Sequence, residues 1–501
     1  MNILGIHDGH NASSTYINKN TILANSEERF KRIKNYRGFP EESIRYILNK
    51  VTNVDEIKVG SVFRRRNKLL KIRDFQNKLR KNLVFIYHHL SHSYLYKLSD
   101  FKECLVISLD GSGDGLSFLA SIGKDDLEVI CESSYLDSVG DFYASITELL
   151  GFKPMEDEGK VMSLSSFTSD YYFNLKVIDY IEELKSFRNF LDVVGSEATK
   201  KLKSLLNLDN LDFNKKVGVA KYAQKVLEEV VLKAINHLSS EYNIENIVFT
   251  GGVAQNVKLN SKIAENFNLF VPPFMGDEGL SFGAVLSSKY FKRLEIKNTY
   301  FGYKIENERV DKILTSLNST YKYTYLENKE IPEIIGEKIL DNKVVCIARD
   351  EMEFGPRALG NRSIIALPTK ENRERINKIL GREWFMPFAP TILYEYVDDY
   401  LINPKYSPFM TLLFKVREER VKEIEGVVHV DKTTRPQTLK RESNPLYYDI
   451  INYINENINL PVVLNTSFNL HGEPIVCREV DALKSFKFDY LLLGNYLIEK
   501  V

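Results

Sequence analysis

Two stretches of this sequence repeat one pattern, a short apolar strand followed by a glycine turn and a second strand. Residues 2–17 read NILGIHDGHNASSTYI, and residues 104–121 read CLVISLDGSGDGLSFLAS. A third stretch, NIVFTGGVAQNVKLN at 246–260, predicts a strand that ends in a double glycine where a helix begins. Strands with glycine loops at their ends, alternating with helices, restrict the chain to an α/β fold.

The glycine loops are suited to phosphate, because backbone N–H groups can approach an anion closely where a side chain is missing. Two phosphate hairpins followed by a double-glycine loop are typical of the duplicated actin-like ATPase fold. Each turn taken alone is also compatible with a plain hairpin. In this order, with an acidic residue beside the glycines, they predict a nucleotide site that includes Gly111 and Gly113.

Two histidines and two aspartates are candidate metal ligands. His88 and His92 are four residues apart and therefore share one face of a predicted helix. Asp110 follows an apolar strand, and Asp277 lies in a second glycine loop. Two imidazoles and two carboxylates suit a first-row divalent metal with positions open for a ligand. The alternative is that the histidines are ordinary polar groups of the helix; His89 is expected to support the ligands or face solvent.

The N-terminal turn offers a candidate base. Asp8 and His10 lie in DGHN, where a histidine with a pKa near neutral could deprotonate a hydroxyl. The same residues are common in turns that have no catalytic role. Lys160, in DEGKVMSLS, could contact a phosphate, and its alternative is a surface lysine.

Composition narrows the class of protein. Lys plus Arg and Asp plus Glu both number 68 in 501 residues, so bulk charge does not argue for binding to nucleic acid or an anionic membrane. The start, MNILGI, lacks the features of a signal peptide, and no apolar run approaches the roughly 20 residues of a membrane-spanning helix. The four cysteines form no CxxC pair. We therefore expect a soluble, cytoplasmic protein of two or three domains.

Residues 1–300 are expected to form the domain with the metal and nucleotide site, and residues 301–325 a linker. From 326 to 501, short strands alternate with loops rich in proline, glycine and arginine, which is typical of a site-bearing α/β domain. Four arginines there are candidate phosphate ligands: Arg357, Arg362, Arg382 and Arg435. Asn465 and Ser467 add amide and hydroxyl groups at the end of a strand.

The most basic stretch is RRRNKLLKIRDFQNKLRK at 64–81, with nine Lys or Arg residues and one Asp. It could bind RNA or a phosphorylated substrate. Its apolar face is expected to consist of Leu69, Leu70, Ile72, Phe75 and Leu79, so a basic surface helix is the favoured interpretation.

Five blocks of the sequence together carry a resemblance that covers nearly the whole chain. They are EERFKRIKNYRGFP (27–40), HHLSH (88–92), GGVAQN (251–256), EFGPRALGNRS (353–363) and LNTSFN (464–469). The chain resembles the nodulation-factor and antibiotic O-carbamoyltransferases. The resemblance implies an actin-like N-terminal domain and an α/β YrdC-like C-terminal domain.

The resemblance also implies a two-step reaction. The C-terminal domain would form carbamoyl adenylate and pyrophosphate from carbamoyl phosphate and ATP, with Mg(II) bound to the nucleotide. In the N-terminal domain, a hydroxyl of a small acceptor would attack the carbamoyl carbon and release AMP. A homodimer is expected from the resemblance alone.

Roles implied by the resemblance agree with the motifs above. His88, His92, Asp110 and Asp277 match metal ligands, for iron(II), and Asp8 and His10 match acceptor-binding and base positions. Gly251, Gly252, Gln255 and Asn256 match the nucleotide loop, and Arg435 and Ser467 match the pocket for carbamoyl phosphate and ATP.

The chain departs from the family pattern at two positions. Leu380 stands where the family commonly has lysine, and Met386 where it often has arginine. Lys378, two residues upstream of Leu380, is a candidate replacement for the missing lysine. The departures leave open a weaker affinity for carbamoyl phosphate, a different donor, or a nucleotide-binding scaffold without catalysis. Threonylcarbamoyl transfer to tRNA is a further alternative, which the neutral net charge and the domain order disfavour.

Overall fold

The computed structural model describes residues 1–63, 66–208, 210–317 and 321–500. The side chains of residues 66, 67 and 500 are outside this description, and so are residues 64 and 65 of the basic stretch. The chain forms two compact units: Met1–Ile22 with Arg37–Glu295, and Leu23–Tyr36 with Ile296–Val501. Both units combine helices with β-sheet, so the expected α/β class is confirmed.

Residues 1–295 contain the first twelve strands and the first ten α-helices. The strands are β1 (Ile3–His7), β2 (Ser13–Ile17), β3 (Ile22–Ser26), β4 (Glu56–Gly60), β5 (Asn82–Ile86), β6 (Cys104–Gly113), β7 (Leu116–Gly123), β8 (Leu127–Ser134), β9 (Ile178–Ile181), β10 (Ser186–Asn189), β11 (Asn246–Thr250) and β12 (Asn268–Phe270). The helices are α1 (Glu27–Lys31), α2 (Glu41–Leu48), α3 (Arg66–Leu79), α4 (His88–Ser93), α5 (Val139–Leu149), α6 (Glu158–Leu164), α7 (Ser196–Leu205), α8 (Phe213–Tyr242), α9 (Val257–Asn266) and α10 (Leu280–Leu286).

Two five-stranded sheets in this part of the chain have the same plan. Their strand orders are β3-β2-β1-β4-β5 and β12-β11-β6-β7-β8. In each, an antiparallel hairpin (β1 with β2, β6 with β7) is followed by parallel pairing of the first hairpin strand with a later one. The two predicted glycine turns are the turns of these hairpins.

Residues 296–500 contain the remaining elements. The strands are β13 (Tyr300–Lys304), β14 (Tyr321–Tyr325), β15 (Val345–Ala348), β16 (Glu351–Glu353), β17 (Arg362–Ala366), β18 (Ala389–Leu393), β19 (Phe414–Lys415), β20 (Thr433–Thr434), β21 (Gln437–Leu439), β22 (Val462–Ser467), β23 (Tyr490–Leu493) and β24 (Tyr496–Lys500). The helices are α11 (Asn307–Ser316), α12 (Ile331–Leu340), α13 (Lys370–Leu380), α14 (Val397–Tyr400), α15 (Pro445–Ile458) and α16 (Glu479–Ser485).

An eight-stranded sheet, in the order β14-β24-β23-β15-β17-β22-β18-β21, organises this second unit. The segment 301–325, expected to be a linker, instead carries most of β13, all of α11 and the edge strand β14. β14 pairs antiparallel with β24, so hydrogen bonds formed with the end of the chain hold this segment in the sheet. β14 lies at an exposed edge of the sheet and has few apolar residues, so the sequence did not predict that it pairs as a strand.

Residues 23–36 group with the second unit although they lie near the start of the chain. The guanidinium of Arg29 donates to the carbonyl of Gly355 at 2.8 Å. Arg32 donates to the carbonyls of Ile475 (2.6 Å) and Pro474 (2.8 Å). These buried or half-buried bonds span more than 300 residues of sequence, which is why local patterns did not predict the grouping.

The described part of the basic stretch forms α3. Ile72 is fully buried and Phe75 packs edge-on against Phe39, whereas Leu70 is 58% exposed. The apolar face is therefore narrower than the sequence indicated. Among the described residues, no helix combines the length and hydropathy needed to cross a membrane.

Candidate functional site

Four side chains of the first unit converge on one point. Nε2 of His88 lies 3.5 Å from Oδ1 of Asp277, and Nε2 of His92 lies 3.4 Å from Oδ2 of Asp110. The four potential ligand atoms all lie within 4.8 Å of one another. Both histidines are buried, while each aspartate side chain is 16% exposed. The set can therefore be approached from the carboxylate side.

The buried imidazoles suit a metal. Among the described residues, Nε2 of His88 and Nε2 of His92 have no hydrogen-bond partner of normal geometry. A buried polar atom without a partner costs about 1–3 kcal/mol. One cation coordinated by both nitrogens would remove this cost, and two imidazoles with two carboxylates are a donor set that suits a first-row divalent metal.

The charges within the set depend on one another. Burial alone would lower the pKa of His92, but the nearby negative carboxylates of Asp110 and Asp277 outweigh it and raise that pKa to about 9. Burial opposes ionisation of Asp110, yet the imidazoles of His88 and His92 hold its pKa well below the usual range. Without a metal, His92 therefore carries a proton where a metal would bind, and metal binding releases it.

The local sequence explains the placement of these ligands. His88 and His92 lie one turn apart on α4, and Asp110 lies near the end of β6. The carboxylate of Asp110 accepts hydrogen bonds from the backbone N–H groups of Gly111 (2.6 Å) and Gly252 (2.7 Å). The double-glycine loop thus orients a candidate metal ligand, a role that its sequence did not predict.

The hairpin turn between β1 and β2 carries Asp8 and His10. Asp8 is buried and His10 is half-buried. The backbone carbonyl of Asp8 accepts a hydrogen bond from Nζ of Lys68 on α3, at 2.9 Å. Their predicted roles in acceptor binding and proton transfer remain predictions.

His7 borders the metal set and was not singled out in the sequence. Its Nε2 lies 2.9 Å from the carbonyl oxygen of His10. Burial lowers the pKa of His7 to about 4, against the opposing charges of Asp277 and Asp8. The neutral imidazole can therefore donate to the His10 carbonyl and fix the turn. Its position at a strand end, directly before Asp8, is the only sequence signal.

His89 is buried, so the solvent-facing alternative is excluded. Its Nδ1 lies 2.8 Å from Oγ of Ser108 on β6. Burial, followed by the charges of His88 and His92, lowers the pKa of His89 to about 3. A neutral histidine at this position packs the helix of the ligands against the strand that carries Asp110.

The backbone of the predicted nucleotide loop requires glycine at position 251. Gly251 has φ +91°, and a Cβ there would lie 2.3 Å from the carbonyl oxygen of Leu109. A Cβ on Gly276 would lie 3.0 Å from Nε2 of Gln255, which places the Gln255 amide beside the loop of Asp277. Gly251 and Gln255 are therefore near the metal set, and their role in nucleotide binding remains a prediction.

Two other predicted nucleotide ligands have partners within the protein. The side chain of Asn256 caps α9, accepting from Leu259 N at 3.0 Å, and it donates to Gln224 at 2.9 Å. Lys160 pairs with Asp157 at 3.2 Å and lies over the Phe152 ring. The cap and the ion pair are structural, so the structure gives these residues no contact with the metal set.

Three arginines of the second unit form a cluster. Burial, followed by the neighbouring charges of Arg357 and Arg382, holds the pKa of Arg435 well below its usual range. Burial also lowers the pKa of Arg382 to about 10, and its guanidinium stacks on the Phe388 ring at 4.3 Å. Nε of Arg435 is buried and lacks a hydrogen-bond partner among the described residues. Neighbouring arginine charges lower one another's pKa, and a bound anion would reduce the repulsion between them.

Arg362 lies outside this cluster, contrary to the prediction. It is fully buried. Its guanidinium donates to the carbonyls of Arg349 (2.6 Å), Asn361 (2.7 Å) and Tyr303 (3.0 Å). With both terminal guanidinium nitrogens engaged by backbone carbonyls, Arg362 stabilises the fold and does not offer them to a phosphate.

Glu353 organises the loop that carries Arg357. Its Oε1 accepts from the backbone N–H groups of Leu359 (2.8 Å), Asn361 (2.8 Å) and Arg362 (3.2 Å). Arg29 holds the same loop from the other side through the carbonyl of Gly355. These positioning contacts have no local pattern in the sequence of the block.

Asn465 and Ser467 lie on β22, as predicted, but in different surroundings. Asn465 is buried, and its Nδ2 donates to Thr391 Oγ1 at 3.0 Å. Ser467 is half-buried at the strand end. Between them, Thr466 accepts from Nη1 of Arg382 at 3.4 Å. The strand end therefore adjoins the arginine cluster.

Two family models match this chain. The model for the carbamoyltransferase N-terminus matches residues 60–286, and the model for the carbamoyltransferase C-terminus matches residues 336–500. Nodulation protein NolO of Bradyrhizobium diazoefficiens is 32% identical over 435 residues, which cover 82% of this chain and 78% of that protein. This chain belongs to the carbamoyltransferase family.

Other relatives differ widely in similarity to this carbamoyltransferase. An uncharacterised protein of Methanocaldococcus jannaschii is 66% identical over the full length of both chains. Among solved structures, full-length HypF in the phosphate- and nucleotide-bound form matches with a TM-score of 0.41 at 12% identity. That match covers 58% of this chain and 46% of HypF, and it is too distant to support an argument.

The departures from the family pattern lie on and after α13. Leu380 is buried in the last turn of the helix, and Lys378 is exposed. Residues two apart on a helix point about 200° apart. Lys378 therefore cannot occupy the direction taken by Leu380, and the replacement considered from the sequence is not supported.

Gly113→Ala is expected to weaken metal binding by this carbamoyltransferase, by about tenfold or more. A Cβ at Gly113 would lie 2.1 Å from Cδ2 of His88, so the imidazole must move. A displaced ligand loses coordination geometry. The measurement is calorimetric titration of the metal-free protein with iron(II) under anaerobic conditions.

Gly111→Ala is the matched control, because a Cβ there meets no atom within 4 Å. It is expected to keep the wild-type metal affinity. Equal metal affinity in both alanine variants would mean that the His88 imidazole does not bind the metal.

Asp114→Asn is expected to destabilise the protein by about 1–3 kcal/mol near neutral pH. The Asp114 carboxylate accepts from Ser61 Oγ, Val62 N, Phe63 N and His88 N at 2.7–2.8 Å. Burial opposes ionisation, but these hydrogen bonds outweigh it and lower the pKa of Asp114. Asp114 was not predicted from the sequence, because an aspartate in the turn SGDG is ordinary.

The pH dependence follows from that lowered pKa. A depressed carboxyl pKa contributes stability that is present above the unfolded value, about 4, and lost as pH falls through the folded value. The difference between wild type and Asp114→Asn in chemical denaturation should thus be large at pH 7 and shrink below about pH 4. Exposed Asp192 is the control, since its Asn variant should change stability by less than about 0.5 kcal/mol. A pH-independent difference would contradict the account.

Proposed function

We propose that this carbamoyltransferase is ATP-dependent and transfers its carbamoyl group to a hydroxyl of a small molecule in two steps. The observation that carries the proposal is the presence of two chemically different sites in two units. One is the set of two histidines and two aspartates, and the other is the cluster of Arg357, Arg382 and Arg435. We assign the first to an actin-like transfer domain and the second to a YrdC-like activation domain.

The first step joins a carbamoyl group to AMP. Carbamoyl phosphate and water give carbamate and inorganic phosphate; a carbamate oxygen then attacks the α-phosphorus of ATP, and pyrophosphate leaves. The arginine cluster would hold the phosphate oxygens of both substrates, since guanidinium groups bind tetrahedral oxyanions through two N–H donors. Mg(II) would accompany the nucleotide. Activation is needed because free carbamate is a poor electrophile, whereas AMP is a good leaving group.

The second step moves the carbamoyl group to the acceptor. A proton leaves the acceptor hydroxyl toward His10, the oxygen attacks the carbamoyl carbon, and the bond from that carbon to the AMP oxygen breaks. His7 would hold the His10 backbone, and Asp8 would orient the acceptor. His88, His92, Asp110 and Asp277 would hold iron(II), which supplies stabilisation of negative charge on the phosphate of the adenylate.

Product analysis tests this proposal. The purified protein is incubated with ATP, carbamoyl phosphate, Mg(II), iron(II) and a panel of hydroxylated small molecules that includes aminoglycosides, sugars and nucleosides. The proposal predicts AMP, pyrophosphate and inorganic phosphate in equal amounts with a carbamoylated acceptor. Stoichiometric ADP formation would contradict it.

A further inference from the structure

The chain contains one tryptophan, and it stands beside the arginine cluster with its ring largely in solvent. Trp384 is 66% exposed, the most exposed large aromatic side chain described in the second unit. It lies two residues after Arg382, so their Cα atoms are at most about 7 Å apart. Burial of so large an apolar ring would stabilise the fold, and the exposed ring does not contribute this stabilisation.

The loop around Trp384 is held in place. Met386 N donates to the carbonyl of Glu383 at 3.0 Å, which closes a turn with Trp384 inside it. Nη2 of Arg382 donates to the carbonyl of Pro387 at 3.4 Å, across the base of the same loop. These two bonds anchor the loop that carries the exposed indole.

The indole has a defined support. The buried ring of Phe385 meets it edge-on, with centroids 5.9 Å apart and an interplanar angle of 86°. The carbonyl of Phe385 lies 3.2 Å from Nε2 of His429, which ties the next residue to a separate segment. An aromatic ring that packs against a buried neighbour presents its exposed surface at little cost in conformational entropy.

We propose that Trp384 is the stacking platform for the base of the nucleotide whose phosphates bind the arginine cluster. An anion site with an exposed flat ring two residues along the chain from one of its arginines has the two chemistries that a nucleotide requires, one for its phosphate chain and one for its aromatic base. Base–aromatic stacking is favourable for any base, so Trp384 contributes affinity for a nucleoside triphosphate over an inorganic phosphate chain. This inference rests on the proposed function, in which ATP is the nucleotide.

The single tryptophan makes a direct test possible with the full-length protein. Indole fluorescence, excited selectively over tyrosine, is followed during titration with ATP and, separately, with inorganic tripolyphosphate. The inference predicts a saturable change with ATP. Tripolyphosphate should compete with ATP for the site and leave the fluorescence unchanged.

Variants give a second measurement. In calorimetric titrations, Trp384→Ala should weaken ATP binding by about 5- to 150-fold, as for loss of one stacked base. Its affinity for tripolyphosphate should stay within about twofold of wild type, and Trp384→Phe should recover most of the ATP affinity. Tyr323→Ala is the matched control, because Tyr323 is an exposed aromatic on the edge strand β14, five strands from β22.

The outcomes separate the stacking inference from the function it rests on. ATP binding with unchanged fluorescence, together with unchanged ATP affinity in Trp384→Ala, would overturn the role of Trp384 and leave the proposed function standing. Absence of binding by both ATP and tripolyphosphate would overturn both. Equal losses of ATP and tripolyphosphate affinity in Trp384→Ala would overturn stacking in favour of a structural role for the loop.

Discussion

His92→Ala is expected to abolish carbamoyl transfer while adenylate formation continues. Nε2 of His92 faces Asp110 at 3.4 Å and Asp277 at 3.5 Å, so its removal takes away one of four candidate metal ligands. Metal affinity should fall more than about 100-fold, since even the loss of groups that support a ligand costs 10- to 100-fold. The measurements are metal content, acceptor carbamoylation and pyrophosphate exchange into ATP on the same preparation.

The control for this variant is His237→Ala, a histidine of the same unit on α8 whose Nε2 lies 3.9 Å from a surface glutamate. It should keep metal, transfer and exchange near wild type. The division of activities between the two units would be contradicted if His92→Ala lost transfer and exchange equally.

Arg435→Gln is expected to have the opposite effect. Arg435 lies with Arg357 and Arg382 and has a buried Nε without a partner, so it is poised to bind an anion. Loss of one charge-assisted, bidentate contact is worth about 1.5–3 kcal/mol, which corresponds to a 10- to 150-fold loss in pyrophosphate exchange. Metal content should remain that of wild type, because the metal ligands belong to the other unit.

Arg441→Gln is the matched control for charge, since Arg441 is exposed and pairs with Asp449 at 2.8 Å. Exchange in this variant should stay within about twofold of wild type. Full exchange activity in Arg435→Gln would remove the arginine cluster from the first step. Together with His92→Ala, the arginine variant tests whether each site supports its own half of the reaction.

The metal set was predictable from the sequence because its signals are local. His88 and His92 share a helix face whenever the segment is helical, and Asp110 lies at the end of a clear apolar strand. Asp277 could be recognised as the acidic residue of a glycine loop. From the sequence, it was only an assumption that three separate elements bring these side chains together. In the structure, the sheet order and the hairpin pairing bring them together.

The different roles of the arginines could not be predicted from the sequence. Arg357 and Arg362 lie in the same block, EFGPRALGNRS (353–363), and nothing in their residue type separates them. The backbone decides, since Gly355 (φ +119°) and Gly360 (φ +121°) turn the loop around buried Glu353. Arg362 then lies inward against carbonyl groups, while Arg357 approaches Arg435.

Long-range packing accounts for the other differences. Residues 23–36 belong with the C-terminal unit through bonds such as that from Arg29 to Gly355, and β14 is held by pairing with β24. Asp114 acts through backbone N–H groups brought near by folding, such as that of His88. None of these contacts has a local sequence pattern.

The measurement that most directly tests the central claim is carbamoyl-phosphate-dependent exchange of labelled pyrophosphate into ATP without an acceptor. The account predicts exchange, because carbamate and ATP form carbamoyl adenylate reversibly at the arginine cluster even with Leu380 and Met386 in place. Exchange should require carbamoyl phosphate and persist in His92→Ala. No exchange by folded wild-type protein loaded with Mg(II) and iron(II) would contradict the claim that this chain activates the carbamoyl group as an adenylate.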